Sequence, residues 1–505
     1  MQWLARPGWI GHVLALIAGA AAPLALAPFD LWPLALFSIA VLYFSMRALT
    51  PKQAAMRGWF YGVGLFAAGI SWVYVSIHDY GAASPALAVL LTAIFVAGLA
   101  LFYALLGALW ARWLRHNDSP LIDSVTFAAL WVALEILRGW ILTGFPWLYA
   151  GYSQLSGPLA GLAPLGGVWL ISFVLVLTSA LIVNLNKLRV KRAGYIAGLI
   201  FMLGPWLLSM LLIDHPWTEK KSDALSVAAI QGNVEQSLKW DPAQINAQLA
   251  LYRDLSFSAK PVDILVWPET AIPVLKDQAQ GYINVMAQFA QSRDSALITG
   301  VPLREANEHG QMRYYNALAS IGEGQGTYLK QKLVPFGEYV PLQELLRGLI
   351  AFFDLPMSDF ARGPDEQAPL LAKGYRIAPF ICYEVVYPEF AASQAAQSDI
   401  LLTVSNDAWF GSSIGPLQHL QMAQMRALEA GRWMIRATNT GISVIIDPMG
   451  RIQAALPQFE QGVLYGEVYA MQGLTPYLRF GSWPLVVVLA LCLGWALIRR
   501  LRQQP

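Results

Sequence analysis

The stretch ICYEVVYPE, residues 381–389, closes an apolar run that begins at Ile377 and carries a single thiol, Cys382, at its end. A short dry run of this kind reads as a buried strand. Pro388 and Glu389 follow at once, and proline at a first turn with an acid beside it starts a helix. Strand into helix is the repeating unit of a layered α/β domain. Cys382 itself has four readings: buried filler, half of a disulfide, a metal ligand or a nucleophile.

The same alternation extends on both sides. Strands are expected at 226–231, 264–267, 296–301, 315–321, 327–333, 377–382, 400–405 and 443–447. Helices are expected at 242–258, 279–292, 388–397 and 416–432. These place an α/β domain at 215–475.

The remainder of the chain has a different character. Over all 505 residues only 13% are charged and 56% are hydrophobic, against about 25% charged in a usual soluble domain. Nineteen Trp and forty-one Gly suit membrane helices and their interfaces. Windows near 7–28, 31–46, 59–77, 85–110, 121–142, 165–184 and 194–213 are apolar, and 483–498 is one more. Spanning a bilayer takes about 20 residues of helix, so about eight spans are expected. They divide the chain into a membrane domain of seven helices at 1–214, the α/β insert, and a last helix with a basic tail at 476–505. The net charge of +2 gives no sign of nucleic-acid binding.

Lys and Arg in the short loops set orientation. Arg47, Lys52 and Arg57 share one side with Arg112 and Arg115, with Lys187, Arg189, Lys191 and Arg192, and with Arg499, Arg500 and Arg502. The opposite loops, 28–31, 78–84 and 145–164, hold no Lys or Arg. Both termini are therefore expected in the cytoplasm and the insert outside it. Reading the first span as a signal peptide, as Arg6 and LALAPF suggest, would break the even count.

That placement narrows the readings of Cys382. The other cysteine, Cys492, lies in the last span, so the two cannot pair. No second Cys or paired His accompanies Cys382, and the chain has six His in all, a poor basis for a metal site. A lone thiol in an oxidising compartment is better explained by use.

Polar groups just past strand ends are where α/β sites gather. ILVWPET ends in Glu269, YLKQKLVPFGEYVPL supplies Lys330, Lys332 and Glu338, and APFICYEVVYPE supplies Cys382. Thiol, lysine and carboxylate make an acyl-transfer set: Cys382 attacks, Glu269 takes its proton, and Lys330 holds the oxyanion. Each also has a plain structural reading, as core filler, turn acid or exposed lysine. The spacing leaves their convergence open.

VWPET, YLKQKLVPFGEYVP, ICYEVVYPE, VSNDAWFG and QHLQMAQMRALEAGRWMIRATNTGIS resemble the carbon–nitrogen hydrolase (nitrilase) superfamily. With membrane spans on both sides, the whole chain resembles the bacterial apolipoprotein N-acyltransferase family. The resemblance implies an αββα sandwich with a Glu–Lys–Cys triad at Glu269, Lys330 and Cys382. It implies that Glu338 supports the lysine, that Tyr383 and Glu384 flank the nucleophile, and that Trp240 in QGNVEQSLKW lies near the lipid site. It further implies ping-pong chemistry without cofactor or metal. The sn-1 chain of a phospholipid, phosphatidylethanolamine, forms a thioester on Cys382 and lysophospholipid leaves. The α-amino group of a diacylglyceryl-cysteine at an apolipoprotein's N-terminus then takes the chain. The setting would be the inner membrane, with the catalytic domain in the periplasm and a monomeric protein.

Two stretches are candidates for handling lipid. PLQELLRGLIAFFDLPM, 341–357, with Phe352 and Phe353, reads as an apolar arm or as a helix packed on the core. TGFPWLYAGYSQ, 143–154, carries Phe145, Trp147, Tyr149 and Tyr152 in an uncharged loop suited to the headgroup level. Glu135 and Arg138, three apart inside a span, read as a structural pair. Two rival functions remain: a membrane-anchored amidase or nitrilase releasing its acyl group to water, and a transporter with a non-catalytic domain. No half-to-half repeat favours the transporter.

Overall fold

The computed structural model describes residues 7–81, 83–190, 192–306, 310–335, 337–339 and 360–502. The arm expected at 341–357, with Phe352 and Phe353, lies outside the described residues. The chain forms two compact units, residues 1–74, 84–215 and 480–505 in one, and 75–83 with 216–479 in the other.

The first unit is helical. Among the described residues, five of its helices are long and apolar enough to cross a bilayer: Pro85–Leu114, Pro120–Arg138, Ala160–Leu188, Arg192–Leu212 and Trp483–Arg502. A sixth candidate is a pair, Pro51–Gly69 and Trp72–Tyr80, bent by 56°. Two further apolar helices, Trp9–Ala25 and Pro33–Met46, are shorter. Proline opens the helices at Pro33, Pro51, Pro85 and Pro120, where a missing N–H costs nothing. Thr50 and Gln53 close a capping box on one of them. Small residues let the backbones touch. A Cβ on Gly19 would strike the Tyr61 carbonyl, and one on Gly64 would strike that of Leu16.

Glu135 and Arg138 are buried in this unit, but they form no direct ion pair. Each grips the loop that follows instead. Arg138 donates to the carbonyls of Phe145 and Trp147, while Glu135 accepts from the N–H of Ala150 and from Trp131 Nε1. Three residues on a helix share a face, but both heads turn toward main-chain partners in 145–150.

The second unit is a sandwich of two sheets. The first sheet contains β1 (Leu225–Gln231), β2 (Ile264–Val266), β3 (Ala296–Ala306), β4 (Met312–Gly322) and β5 (Thr327–Leu329). The second contains β6 (Leu370–Ala372), β7 (Tyr375–Ile381), β8 (Ile400–Ser405), β9 (Met434–Thr438), β10 (Ser443–Ile446) and β11 (Ile452–Leu456). β12 (Gly462–Val468) returns to the first sheet beside β1, giving the order β12-β1-β2-β3-β4-β5. The second runs β11-β10-β9-β8-β7-β6 and ends on a two-residue strand, Gly324–Gln325. β1, β2 and β3 are parallel, as are β7, β8 and β9.

Side chains alternate across each strand. Val227, Ala229, Ile264, Val266, Ile298, Ile377, Ile381, Ile400, Leu402 and Val404 meet between the sheets. Ala228, Ile230, Leu265, Trp267 and Leu297 face the other way, onto helices α1 (Ile245–Ser258) and α2 (Gln280–Ser292). α3 (Pro388–Ala396) covers the far face of the second sheet, with Phe390 against Phe380, and packs on α4 (Gly415–Ala430). The layers are helix, sheet, sheet, helix.

The strand expected at 327–333 stops at Leu329, because the chain turns out of the sheet at Lys330. β6, β9, β11 and β12 were not expected from the sequence. The segment 75–83 joins this unit: Ser76 Oγ donates to the Trp409 carbonyl at 2.8 Å, and Tyr80 sets its ring edge-on to Trp409.

Candidate active site

Strands of both sheets deliver polar residues at their carboxyl ends. Glu269 follows β2, Lys330 follows β5, Cys382 follows β7 and Asn406 follows β8. Three expected residues form one buried hub. Lys330 Nζ lies 2.8 Å from Glu338 Oε1 and 3.4 Å from Glu269 Oε1, and its side chain is 1% exposed. A second element, absent from the sequence expectation, is Asn316 on β4. Its Nδ2 donates to Glu269 Oε1 at 2.8 Å and to Glu338 Oε1 at 3.0 Å. One amide thus sets the two carboxylates on either side of the ammonium. The remaining oxygens are also held, Glu269 Oε2 by the Asn406 N–H and Glu338 Oε2 by that of Val334.

Burial works against the charge on Lys330, but Glu338 and then Glu269 outweigh it, so its pKa rises and the ammonium form is favoured. Cys382 is half-buried at the mouth of β7. Burial, and next Glu269, push its thiol pKa up, while Lys330 pulls it down. The resting sulfur therefore keeps its proton and sits within electrostatic reach of both residues. Its main chain has φ of +53°, the left-handed region that a non-glycine residue adopts at a cost of about 1–2 kcal/mol.

Glu384 is fully buried and ties two site-bearing segments together. Its Oε1 accepts from Tyr328 Oη at 2.8 Å and from the N–H groups of Gln331 and Lys332; Oε2 accepts from the N–H of Ile381. Burial raises its pKa to about 7. Tyr383 is buried and meets Tyr387 edge-on.

A second lysine lies close by, which the sequence did not single out. Lys239 is 4% exposed, and its Nζ donates to the Glu269 carbonyl at 2.9 Å. Burial pushes its pKa down to about 8 against a weaker pull from Glu269 and Cys382. The segment before it is pinned from the opposite sheet. Asn439 exchanges hydrogen bonds with the main chain of Val234, and Asn406 Nδ2 donates to Gln236. Trp240, next in the chain, is half-buried and its Nε1 has no partner among the described residues.

Gly300 allows the Glu269 loop to cross β3, since a Cβ there would strike the Thr270 N–H and the Pro268 carbonyl. Trp147 and Phe145 lie in the helical unit. Trp147 is fully buried, stacked on Phe145 and tilted against Trp72. Among the described residues no cluster of His, Cys, Asp and Glu could hold a metal ion.

Comparison with known proteins places the chain in a family. The model of the apolipoprotein N-acyltransferase N-terminal domain matches residues 18–181, and that of the carbon-nitrogen hydrolases matches 226–476. An apolipoprotein N-acyltransferase of Pseudomonas putida is 68% identical over 498 residues, covering 99% of this chain and 98% of that protein. The chain belongs to the apolipoprotein N-acyltransferase family. A relative of the same description in Pseudomonas aeruginosa is 64% identical over 505 residues, covering 100% of this chain and 99% of that one. Among solved structures, an amidase from Nesterenkonia sp. is 20% identical, with 52% of this chain and 94% of that chain covered and a TM-score of 0.36.

Proposed function

We propose that this chain is an apolipoprotein N-acyltransferase. It moves an acyl chain from a phospholipid, through a thioester on Cys382, to the α-amino group of a lipoprotein's N-terminal diacylglyceryl-cysteine. The observation that carries this reading is the Glu269–Lys330–Glu338 hub, buried and charge-locked, within electrostatic reach of the Cys382 thiol.

In the first half-reaction the Cys382 S–H proton passes to Glu269 as sulfur attacks the ester carbonyl. Two of the three N–H groups of Lys330 are held by Glu338 and Glu269, which leaves one for the oxyanion. The C–O bond to the glycerol breaks, the departing oxygen takes the proton from Glu269, and lysophospholipid leaves. In the second half-reaction the amine attacks the thioester carbonyl and gives a proton to Glu269. The C–S bond breaks and the thiol recovers that proton. Glu338 keeps Lys330 charged throughout, and Glu384 and Tyr383 hold the nucleophile's turn.

The positive-inside pattern of the loops and the five helices long and apolar enough to cross a bilayer, six with the bent pair, support a multi-pass inner-membrane protein with its α/β unit in the periplasm. The donor is phosphatidylethanolamine and the protein a monomer in this reading. Trp240, Phe145, Phe352 and Phe353 are candidates for lipid contact, and Trp147, being fully buried, would back the Phe145 ring rather than meet lipid itself.

Incubation with acyl-labelled phosphatidylethanolamine tests the reading. Label is expected on Cys382, stable until a diacylated lipopeptide discharges it to the amine. Discharge as free fatty acid would make the protein a hydrolase instead, and no label on Cys382 would end the thioester route.

A further inference from the structure

Behind the nucleophile lies a charged cluster that the acyl-transfer steps above do not use. His419 on α4 is 1% exposed, and its Nε2 lies 3.1 Å from the carbonyl oxygen of Cys382. Its Nδ1 faces Asp407 Oδ1 at 3.1 Å and Arg436 Nη2 at 3.2 Å. Arg436, in the middle of β9 and fully buried, donates to Asp407 Oδ2 at 2.6 Å. The Phe410 ring closes the pocket edge-on to the imidazole.

Hydrogen-bond logic fixes the ring. A carbonyl oxygen only accepts, so Nε2 must carry hydrogen. A neutral ring then accepts from Arg436 at Nδ1, and a charged ring donates there to Asp407. Either way the Nε2–H remains aimed at Cys382. The ion pair behind it is secure: against burial, Arg436 and then His419 hold the Asp407 carboxyl down at about 2. A buried Asp–Arg pair is weak as a source of stability, so its position against the nucleophile's turn calls for another explanation.

Cys382 supplies one. Its left-handed φ is unfavourable and persists only where neighbours over-determine it. Two side chains grip the peptide groups around it, Glu384 at the N–H of Ile381 and His419 at the carbonyl of Cys382 itself. We propose that His419 is a positioning residue: its Nε2–H, backed by Asp407 and Arg436, holds the Cys382 main chain in the left-handed turn that aims the thiol at Glu269 and Lys330. This rests on the acyl-transfer reading only in taking Cys382 as the nucleophile.

The test uses the full-length protein in detergent. Acyl loading of Cys382 from labelled phospholipid is measured for His419→Leu, His419→Gln and His419→Asn, beside alkylation of Cys382 by iodoacetamide, read by mass spectrometry. Misaiming a reacting group by about 1 Å costs on the order of 100-fold. The first-order loading rate of His419→Leu should therefore fall by about 10- to 100-fold, with the half-saturating phospholipid concentration unchanged. His419→Gln, whose amide N–H reaches as far as Nε2, should recover most of that rate, and alkylation should follow the same order. If His419→Leu melts far below the parent, the comparison rests on Gln against the shorter Asn, with Gln expected to be faster. Wild-type-like loading in His419→Leu, or equal loss in Gln and Asn, overturns the proposal. Alkylation needs no lipid, so alkylation that is unchanged in every variant sinks the clamp. Absence of wild-type loading sinks the acyl-transfer reading instead.

Discussion

The carboxylate of Glu384 accepts the main-chain N–H of Gln331 at 2.6 Å. The residue two places past the thiol is thereby fastened to the residue one place past the lysine, which ties the two candidate site segments together. Replacing Glu384 by Gln puts an amide N–H against either the Ile381 N–H or the three donors at Oε1. A buried donor left unpaired costs about 1–3 kcal/mol. Glu384→Gln is expected to lower the melting temperature and slow loading of Cys382. Unchanged values for both would show the carboxylate to be dispensable.

Lys330 neutralises two buried carboxylates. Removing one partner from such a set costs about 3–5 kcal/mol, because the remaining charge has no compensation. Lys330→Met should be destabilised on that scale and inactive. Adding Glu338→Gln should return part of the stability without returning activity. Melting curves and acyl loading on the two variants separate the structural effect from the chemical one.

The sequence made the three strand ends visible because each dry run stops at a polar residue. It could not display the partners that orient them. Asn316 is an ordinary polar residue in the middle of β4, and only the pairing of β4 with β5 points it between Glu269 and Glu338. β9 stayed hidden for a related reason: Arg436 interrupts its apolar pattern, and its charge is explained only by Asp407 from another strand end. β11 and β12 are half-exposed, with glycines in β12, so they lack the signature of a core strand. A layered α/β fold was legible from the alternation of apolar and amphipathic segments, and the αββα sandwich only from the resemblance. The grip of Arg138 and Glu135 on the 145–150 loop was not, since helical spacing says nothing about main-chain partners.

Lys239 gives the protein a pH signature. Its pKa is about 8 in the folded chain against 10.5 for an ordinary lysine, so between these values the unfolded chain binds the extra proton. Stability therefore rises with pH across that window, by on the order of 3 kcal/mol if the full shift is expressed. Lys239→Met removes this contribution. The difference in melting temperature between parent and variant should favour Met at pH 7.5 and shrink toward pH 10.5. A difference that does not change with pH would mean that the lysine is not desolvated.

Gly300 is predicted to be intolerant. A methyl group there meets main-chain atoms of the Glu269 loop, which cannot rotate away. Gly300→Ala should cost about 1–3 kcal/mol by overpacking and should slow acyl loading more than it lowers stability. Loading at the parental rate would show that the loop has room to shift.

The segment 75–83 belongs to the α/β unit, although the chain on either side of it belongs to the helical one. The polypeptide therefore passes between the units at four places, after residues 74, 83, 215 and 479. A soluble fragment cut at 216 and 479 would lack a piece of its own body, baring the face of Trp409 that Ser76 and Tyr80 cover. That turn begins at Asp407, so the excised fragment would be loosened behind its own thiol. The α/β unit is an interrupted insertion, and a fragment that keeps its whole body must keep residues 75–83 as well as 216–479.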